Sequence, residues 1–370
     1  MTKGLERILA ITFGQGGNDT NHLGVGWSGD EPGLRWMVGQ ASELWLEHPG
    51  RGHDLILEID ANVLVAPPHI EAQRLVVGVR SHGIAQIAAR RPGTLGFHIP
   101  AALIETPGPV RLLFVHPDFR RPIDLGANAD DRELSFSVSA LRLSRVLPRQ
   151  IHARSPPGVA MPPVPPDMLL RFESLGENCE FGLVQRRAGF EPLGLLRFSF
   201  IELVHLVIGL RRGFEGLGDP GTIEVEVDGP DEEYIVRDTT YGMTYHTWQY
   251  QSQLPIETVR HQQAMRLGFL KRKLMEDVAA AEKIFVVKRI TPLMPEEVLP
   301  LYAVLNDLGA NWLLWVVLAD QAHPAGTAEV LLPGLIRGYV DRFAPNENAS
   351  DFSYSAWQSM CEAAWRMAGI

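Results

Sequence analysis

Only two cysteines, Cys179 and Cys361, occur in 370 residues, and that scarcity excludes both a disulfide framework and a Cys-x-x-Cys metal spacing. It fits a reducing compartment. Long apolar runs are missing too: the longest, Trp312 to Ala319, is far too short to span a bilayer. The first ten residues carry Lys3, Glu6 and Arg7 without an apolar core, so no signal peptide is expected and the chain reads as a soluble, cytoplasmic protein. Positive charge is scarce, with 34 Lys and Arg against 44 Asp and Glu and a net charge of −10. A nucleic-acid partner is therefore not expected, because phosphate neutralisation needs a basic surface. The basic clusters Arg186-Arg187, Arg211-Arg212 and Lys271-Arg272-Lys273 read as solvated helix faces. The Leu175-Gly176-Glu177-Asn178 turn has neither a Walker lysine nor a G-x-G-x-x-G, and histidines 22, 48, 53, 69, 82, 98 and 116 stand singly, so neither cofactor nor metal is expected.

What is present is apolar material: 45% of residues are hydrophobic, enough for packed cores, and the length favours two domains. Residues 1–147 read as short strands between Gly and Pro turns: Ile8–Phe13, Glu43–Leu46, Leu55–Ile59, Leu75–Val79, Thr94–Ile99, Val110–His116 and Leu134–Leu143. Several alternate polar and apolar residues, the period of a half-buried antiparallel strand, and together they predict an antiparallel β-sandwich of jelly-roll type. Residues 148–167 hold seven prolines and predict a stiff linker. Residues 168–370 alternate strands and helices and predict an α/β domain with some parallel pairing. Its strands are expected at Met168–Ser174, Thr222–Val227, Tyr234–Val236, Lys283–Lys288 and Asn311–Leu318. Its helices are expected at Cys179–Gly189, Ile201–Arg212, Ile256–Ala281, Pro295–Leu308 and Ser355–Met367.

The chemistry concentrates in Phe172-Glu-Ser-Leu-Gly-Glu-Asn-Cys-Glu-Phe-Gly182, where a strand turns through glycine into a helix. A thiol at a helix start meets unpaired N–H groups and the positive end of the macrodipole, both favouring thiolate. Cys179 is the candidate nucleophile and His246 the favoured base, with His205 and His261 as rivals and Asp320 or Asp341 as an orienting group. Ser174, Gly176 and Asn178 would shape the turn and aim N–H groups at an oxyanion. Gly176, Glu177, Arg187 and Trp248 are candidate substrate contacts. Two other readings stay open: Cys179 as a small packing residue, and the turn as an anion cradle for a sugar nucleotide, against which Glu177 would act. Glu177 and Glu180 would raise the thiol pKa if they face it, or complement the helix dipole if they do not.

Residues 172–190 (FESLGENCEFGLVQRRAGF) resemble a bacterial domain family of unknown function whose members are classed by pattern as papain-like cysteine peptidases. The resemblance extends loosely over residues 168 to 320, with Tyr245-His246-Thr247-Trp248 where the family has a histidine, then a basic helix and an apolar strand. It implies a cysteine-dependent hydrolase or acyl transferase with Cys179 attacking and His246 as base, acting on a protein, peptide or glycan substrate. One departure stands out: Leu195 to Phe200 replaces a Pro-Phe-Asp-Trp-like segment with neither Asp nor Trp.

The N-terminal region, with Gly24-Val25-Gly26-Trp27-Ser28 and Arg35-Trp36-Met37-Val38-Gly39, resembles accessory β-sandwich domains found beside bacterial polysaccharide-assembly enzymes. Trp27, Trp36 and Trp45 could stack on sugar rings, with Arg35, Glu43 or Asp30 bonding hydroxyls; core tryptophans are the commoner alternative. The competing whole-chain readings are a non-catalytic glycan-binding or assembly protein of polysaccharide biosynthesis and a glycosyltransferase-like enzyme. The sequence sets no oligomeric state.

Overall fold

The computed structural model describes residues 3–149 and 163–370. Most of the expected linker, residues 150–162, lies outside the described residues. The chain divides into two compact units: Leu5–Leu147 together with Met294–Ala303, and the remainder. Most strand pairings in the molecule are antiparallel.

The first unit is built from β1 (Leu5–Thr12), β2 (Arg35–Val38), β3 (Ala41–Leu46), β4 (Leu55–Val63), β5 (Gln73–Val79), β6 (His82–Ala89), β7 (Gly93–Ile99), β8 (Val110–Val115) and β9 (Leu134–Val146). One sheet runs β1-β9-β4-β7 with β2 also on β9; the other runs β3-β8-β5-β6. Inward residues of both, including Leu57, Ile59, Phe97 and Phe136 from one and Leu44, Val77, Leu112 and Phe114 from the other, share a single apolar core. That shared core makes the unit a β-sandwich. Strands β2 and β6 add to those expected. The alanines and glycine of His82-Gly-Ile-Ala-Gln-Ile-Ala-Ala carry little β propensity, and β6 owes its existence to pairing with β5 along its whole length.

The second unit contains β10 (Phe172–Ser174), α1 (Glu180–Arg187), β11 (Ser199–Phe200), α2 (Leu203–Arg211), β12 (Ile223–Asp228), β13 (Glu233–Asp238), β14 (Met243–Tyr250), α3 (Ile256–Ala280), β15 (Ile284–Val287), the end of α4 (Pro295–Leu308), β16 (Trp312–Leu318), β17 (Ala328–Leu332), β18 (Leu335–Val340) and α5 (Tyr354–Ala368). Strands β10, β15, β16 and β18 pair in parallel and β17 closes that sheet antiparallel. Strands β11-β14-β13-β12 form a separate antiparallel sheet against which α3 packs. Both runs Ile284–Val287 and Trp312–Val316 are buried throughout, as expected of parallel strands covered on both faces. Helix α5 lays Trp357, Met360, Cys361 and Ala364 against Ile336 and Val340. Asn311, fully buried ahead of β16, donates to Val278 O (3.0 Å) near the end of α3 and to Leu305 O (2.7 Å) near the end of α4, satisfying helix-terminal carbonyls.

The strand expected at Met168–Ser174 is shorter. Residues Met168–Arg171 form a helical turn, and only Phe172–Ser174 pair with β15. The buried amide of Gln185 donates to Leu169 O and Phe172 O (both 3.0 Å), giving those carbonyls the partner a strand would have supplied. Among the described residues, no helix is long and apolar enough to cross a membrane.

Candidate functional site

The turn after β10 is held from several sides. Leu175 donates its amide to Val286 O (2.9 Å), carrying the chain one residue beyond the ladder. Gly176 then turns at φ +89°, where an added Cβ would stand 3.1 Å from Ser199 O. Glu177 follows at φ +97°, an unfavourable region for a residue with a side chain. Its carboxylate offsets the strain: Oε1 accepts from Ile290 N (2.7 Å) and Oε2 pairs with Lys288 Nζ (3.2 Å). Ser174 Oγ accepts from Gly176 N (3.3 Å), and Asn178 Oδ1 accepts from Glu180 N (3.0 Å). Ser174 and Asn178 thus shape the turn through backbone contacts, and Glu177 serves as a brace within it.

Cys179 caps α1 through its backbone, its carbonyl accepting from Leu183 N (2.9 Å), while its half-buried sulfur makes no hydrogen bond among the described residues. Burial pushes the thiol pKa up, and the Arg186 and Lys288 cations only partly oppose it. The direction is opposite to the one the helix-start argument predicts. The positive charge there is already answered by Glu180, fully buried in the first turn. Its Oε1 accepts from Trp357 Nε1 (2.9 Å), and its Oε2 accepts from Ala344 N (3.1 Å) and pairs with Lys288 Nζ (2.7 Å). Lys288, 3% exposed, stands between Glu177 and Glu180 and 5.1 Å from the centre of the Phe343 ring. Arg187 leaves α1 to lie over Tyr354 (4.9 Å).

His246 is on β14, exposed, with Nδ1 against Glu233 Oε2 (3.1 Å). With Trp248, Tyr245, Phe198, Arg266 and Leu267 it lines a cleft. Cys179 is not among the residues lining that cleft. The structure therefore brings together His246 and Trp248, and separately Ser174, Gly176, Glu177, Asn178 and Cys179. Glu233 carries no motif in the sequence and Arg266 only its place in the basic helix, so their part in the cleft becomes visible only through the fold.

On the sandwich, the three tryptophans differ. Trp27 stacks on Phe13 (5.3 Å), meets Phe114 edge-on (6.4 Å) and donates Nε1 to Glu43 O (2.8 Å), so it packs against the core. Arg35, proposed to bond sugar hydroxyls, is buried: Nε donates to Asp19 (2.7 Å), Nη1 to Ser28 O (2.6 Å) and Nη2 to Asp30. A guanidinium so engaged is a loop anchor and leaves nothing for a ligand. Trp36 is half-buried on β2, its amide donating to Ser28 Oγ (3.0 Å).

Trp45 is different, 44% exposed on the outer face of β3. It lies opposite Arg111 of β8, which donates to Glu43 (3.4 Å) and to Arg80 O (3.2 Å). One row further, Glu43 faces Leu113, Leu113 faces Gly78, and Gly78 faces Gly83. Gly78 and Gly83 stand on β5 and β6, with Leu113 of β8 between them and β3.

No protein-family model matches the chain, and neither does any curated protein. Among solved structures it is similar to the C-terminal CBM6 of a marine laminarinase from Zobellia galactanivorans, at 8% identity and TM-score 0.23, covering 37% of this chain and 98% of that one. It is also similar to the CBM22-1 xylan-binding domain of a Paenibacillus barcinonensis protein, at 10% identity and TM-score 0.29, covering 40% and 100%. A third, carbohydrate-binding module CBM36 in complex with calcium and xylotriose, shares 6% identity at TM-score 0.20, covering 38% and 92%. At these TM-scores no ligand or activity transfers to this chain.

Proposed function

We propose that this chain is a glycan-binding protein whose platform is the outer face of the β3-β8-β5-β6 sheet around Trp45. The observation that carries the reading is the exposed indole of Trp45, set on a rigid strand beside the Arg111–Glu43 pair. An indole offers an apolar face to the C–H surface of a sugar ring. A guanidinium and a carboxylate at its edge supply donors and acceptors for hydroxyls, the apolar-plus-few-polar composition of a binding site. The strand is fixed on its free side, since Trp45 N donates to His22 O (2.7 Å) and Glu43 N to Val25 O (2.9 Å), so the platform is preorganised. Residues 168–370 we read as an α/β domain accompanying this module. The test is binding of the whole chain to a polysaccharide panel with Trp45→Ala as the comparison.

A second reading, a cysteine-dependent hydrolase, draws support from Cys179 standing where β10 turns into α1 at the carboxyl end of a parallel strand. The raised thiol pKa and the pairing of His246 with Glu233 weigh against it. We therefore rank it below glycan binding, and thiol reactivity against pH decides between them.

A further inference from the structure

Glu233 of β13 grips two residues of β14 at once. Its Oε1 accepts from the Trp248 amide (2.7 Å) and its Oε2 meets His246 Nδ1 (3.1 Å), at a point where the β13–β14 register shifts. Trp248 sits at φ +53°, a left-handed backbone unfavourable for a residue with a Cβ. Core packing does not explain the strain, because the indole is 47% exposed and meets Phe198 edge-on at 5.3 Å. The carboxylate fixes an unfavourable backbone that displays a large aromatic at the mouth of the cleft. Strain held in this way points to a ligand site.

The other walls define the ligand. Arg266 of α3 is exposed and has no carboxylate partner among the described residues; its guanidinium lies 6.0 Å from the centre of the Tyr245 ring. The Tyr245 hydroxyl donates to Gln263 (3.1 Å) and is unavailable. His246 borders the cleft with its Nδ1 held by Glu233. The cleft thus offers a stacking face and one guanidinium without a carboxylate partner among the described residues.

We propose that this cleft binds an acidic sugar, with a pyranose ring on the Trp248 indole and its carboxylate on Arg266. One guanidinium matches one carboxylate in bidentate geometry. A nucleoside diphosphate is disfavoured, since its further charge would meet Glu233 without a second unpaired cation among the described residues lining the cleft. The site lies in the second unit and does not rest on the Trp45 reading.

Isothermal titration of the full chain with trigalacturonate, neutral maltotriose and UDP tests it. Trigalacturonate is expected to bind, with affinity falling at least about tenfold in Trp248→Gly and in Arg266→Gln, one lost bidentate contact or stacking face each. Glycine accepts a positive φ, so Trp248→Gly relieves strain and keeps the fold testable. Trp45→Ala is expected to leave this binding unchanged, which separates a failed sandwich platform from a failed cleft. Any of four results would overturn the assignment: no trigalacturonate binding, undiminished binding in Trp248→Gly, maltotriose binding as tightly as the uronate, or UDP binding through Trp248 in preference to it.

Discussion

Trp45 and Arg111 are direct partners in the β3–β8 register, and both side chains stand on the outer face of the sandwich. Trp27, eighteen residues earlier, puts its indole against Phe13 and Phe114 instead. The two tryptophans therefore answer differently to removal. Trp27→Ala is expected to cost about 3 kcal/mol by opening a cavity, and Trp45→Ala no more than about 0.5 kcal/mol. Urea unfolding of the two variants measures both, and equal losses would contradict the assignment.

Lys288 carries a buried positive charge between Glu177 and Glu180. Lys288→Met leaves those carboxylates without it and is expected to cost about 3–5 kcal/mol. Pairing it with Glu180→Gln removes much of the stranded charge, so the double variant should be less destabilised than the sum of the two single ones. Strict additivity in a denaturant double-mutant cycle would show that the three groups do not act together.

His116 is fully buried in the sandwich, with Nε2 3.0 Å from Ser42 Oγ. Burial lowers its pKa to about 4, against an ordinary value near 6.5. The folded state thus prefers neutral imidazole. Its stabilising contribution is complete above pH 6.5 and is lost as the pH falls toward 4, because the unfolded chain takes up the proton first. Between pH 7 and 4.5 the loss amounts to about 2–3 kcal/mol. His116→Gln is expected to reduce the fall in urea-determined stability over that range by that amount; an identical pH profile in the variant would contradict it.

Because burial raises the Cys179 thiol, alkylation by iodoacetamide is expected to be slow at pH 7 and to climb only above the free-thiol value of about 8.5. Cys361, fully buried and pushed up further, should react only on unfolding. A rate plateau for Cys179 below pH 8 would revive the hydrolase reading.

Legibility in the sequence followed the strength of local pattern. Alternation in Arg132-Glu-Leu-Ser-Phe-Ser-Val138 and the apolar run Ile284–Val287 state their strands outright, and the matching elements are β9 and β15. Strands β2, β6, β11, β14, β17 and β18 have no strong local pattern: β2 and β18 are defined by distant partners, β9 and β16, while β6 and β17 exist as hairpin partners of β5 and β18. At the candidate sites, residue type could nominate Trp27, Trp36 and Trp45 alike. Only burial separated the exposed indole of Trp45 from the packed one of Trp27. The helix-start argument for Cys179 omitted desolvation, which outweighs the two nearby cations. Glu233 had no signal and Arg266 only that of the basic helix, since what matters about each is a neighbour distant in sequence.

Affinity electrophoresis of the full chain through gels containing xylan, β-1,3-glucan, galactomannan or no polysaccharide tests the central claim most directly. The platform predicts retardation by at least one polysaccharide, with affinity reduced at least about tenfold in Trp45→Ala while Trp36→Ala stays within about threefold of the parent, stacking faces being worth more than about 1 kcal/mol. Retardation unchanged by loss of Trp45, or no retardation in any gel, would contradict it.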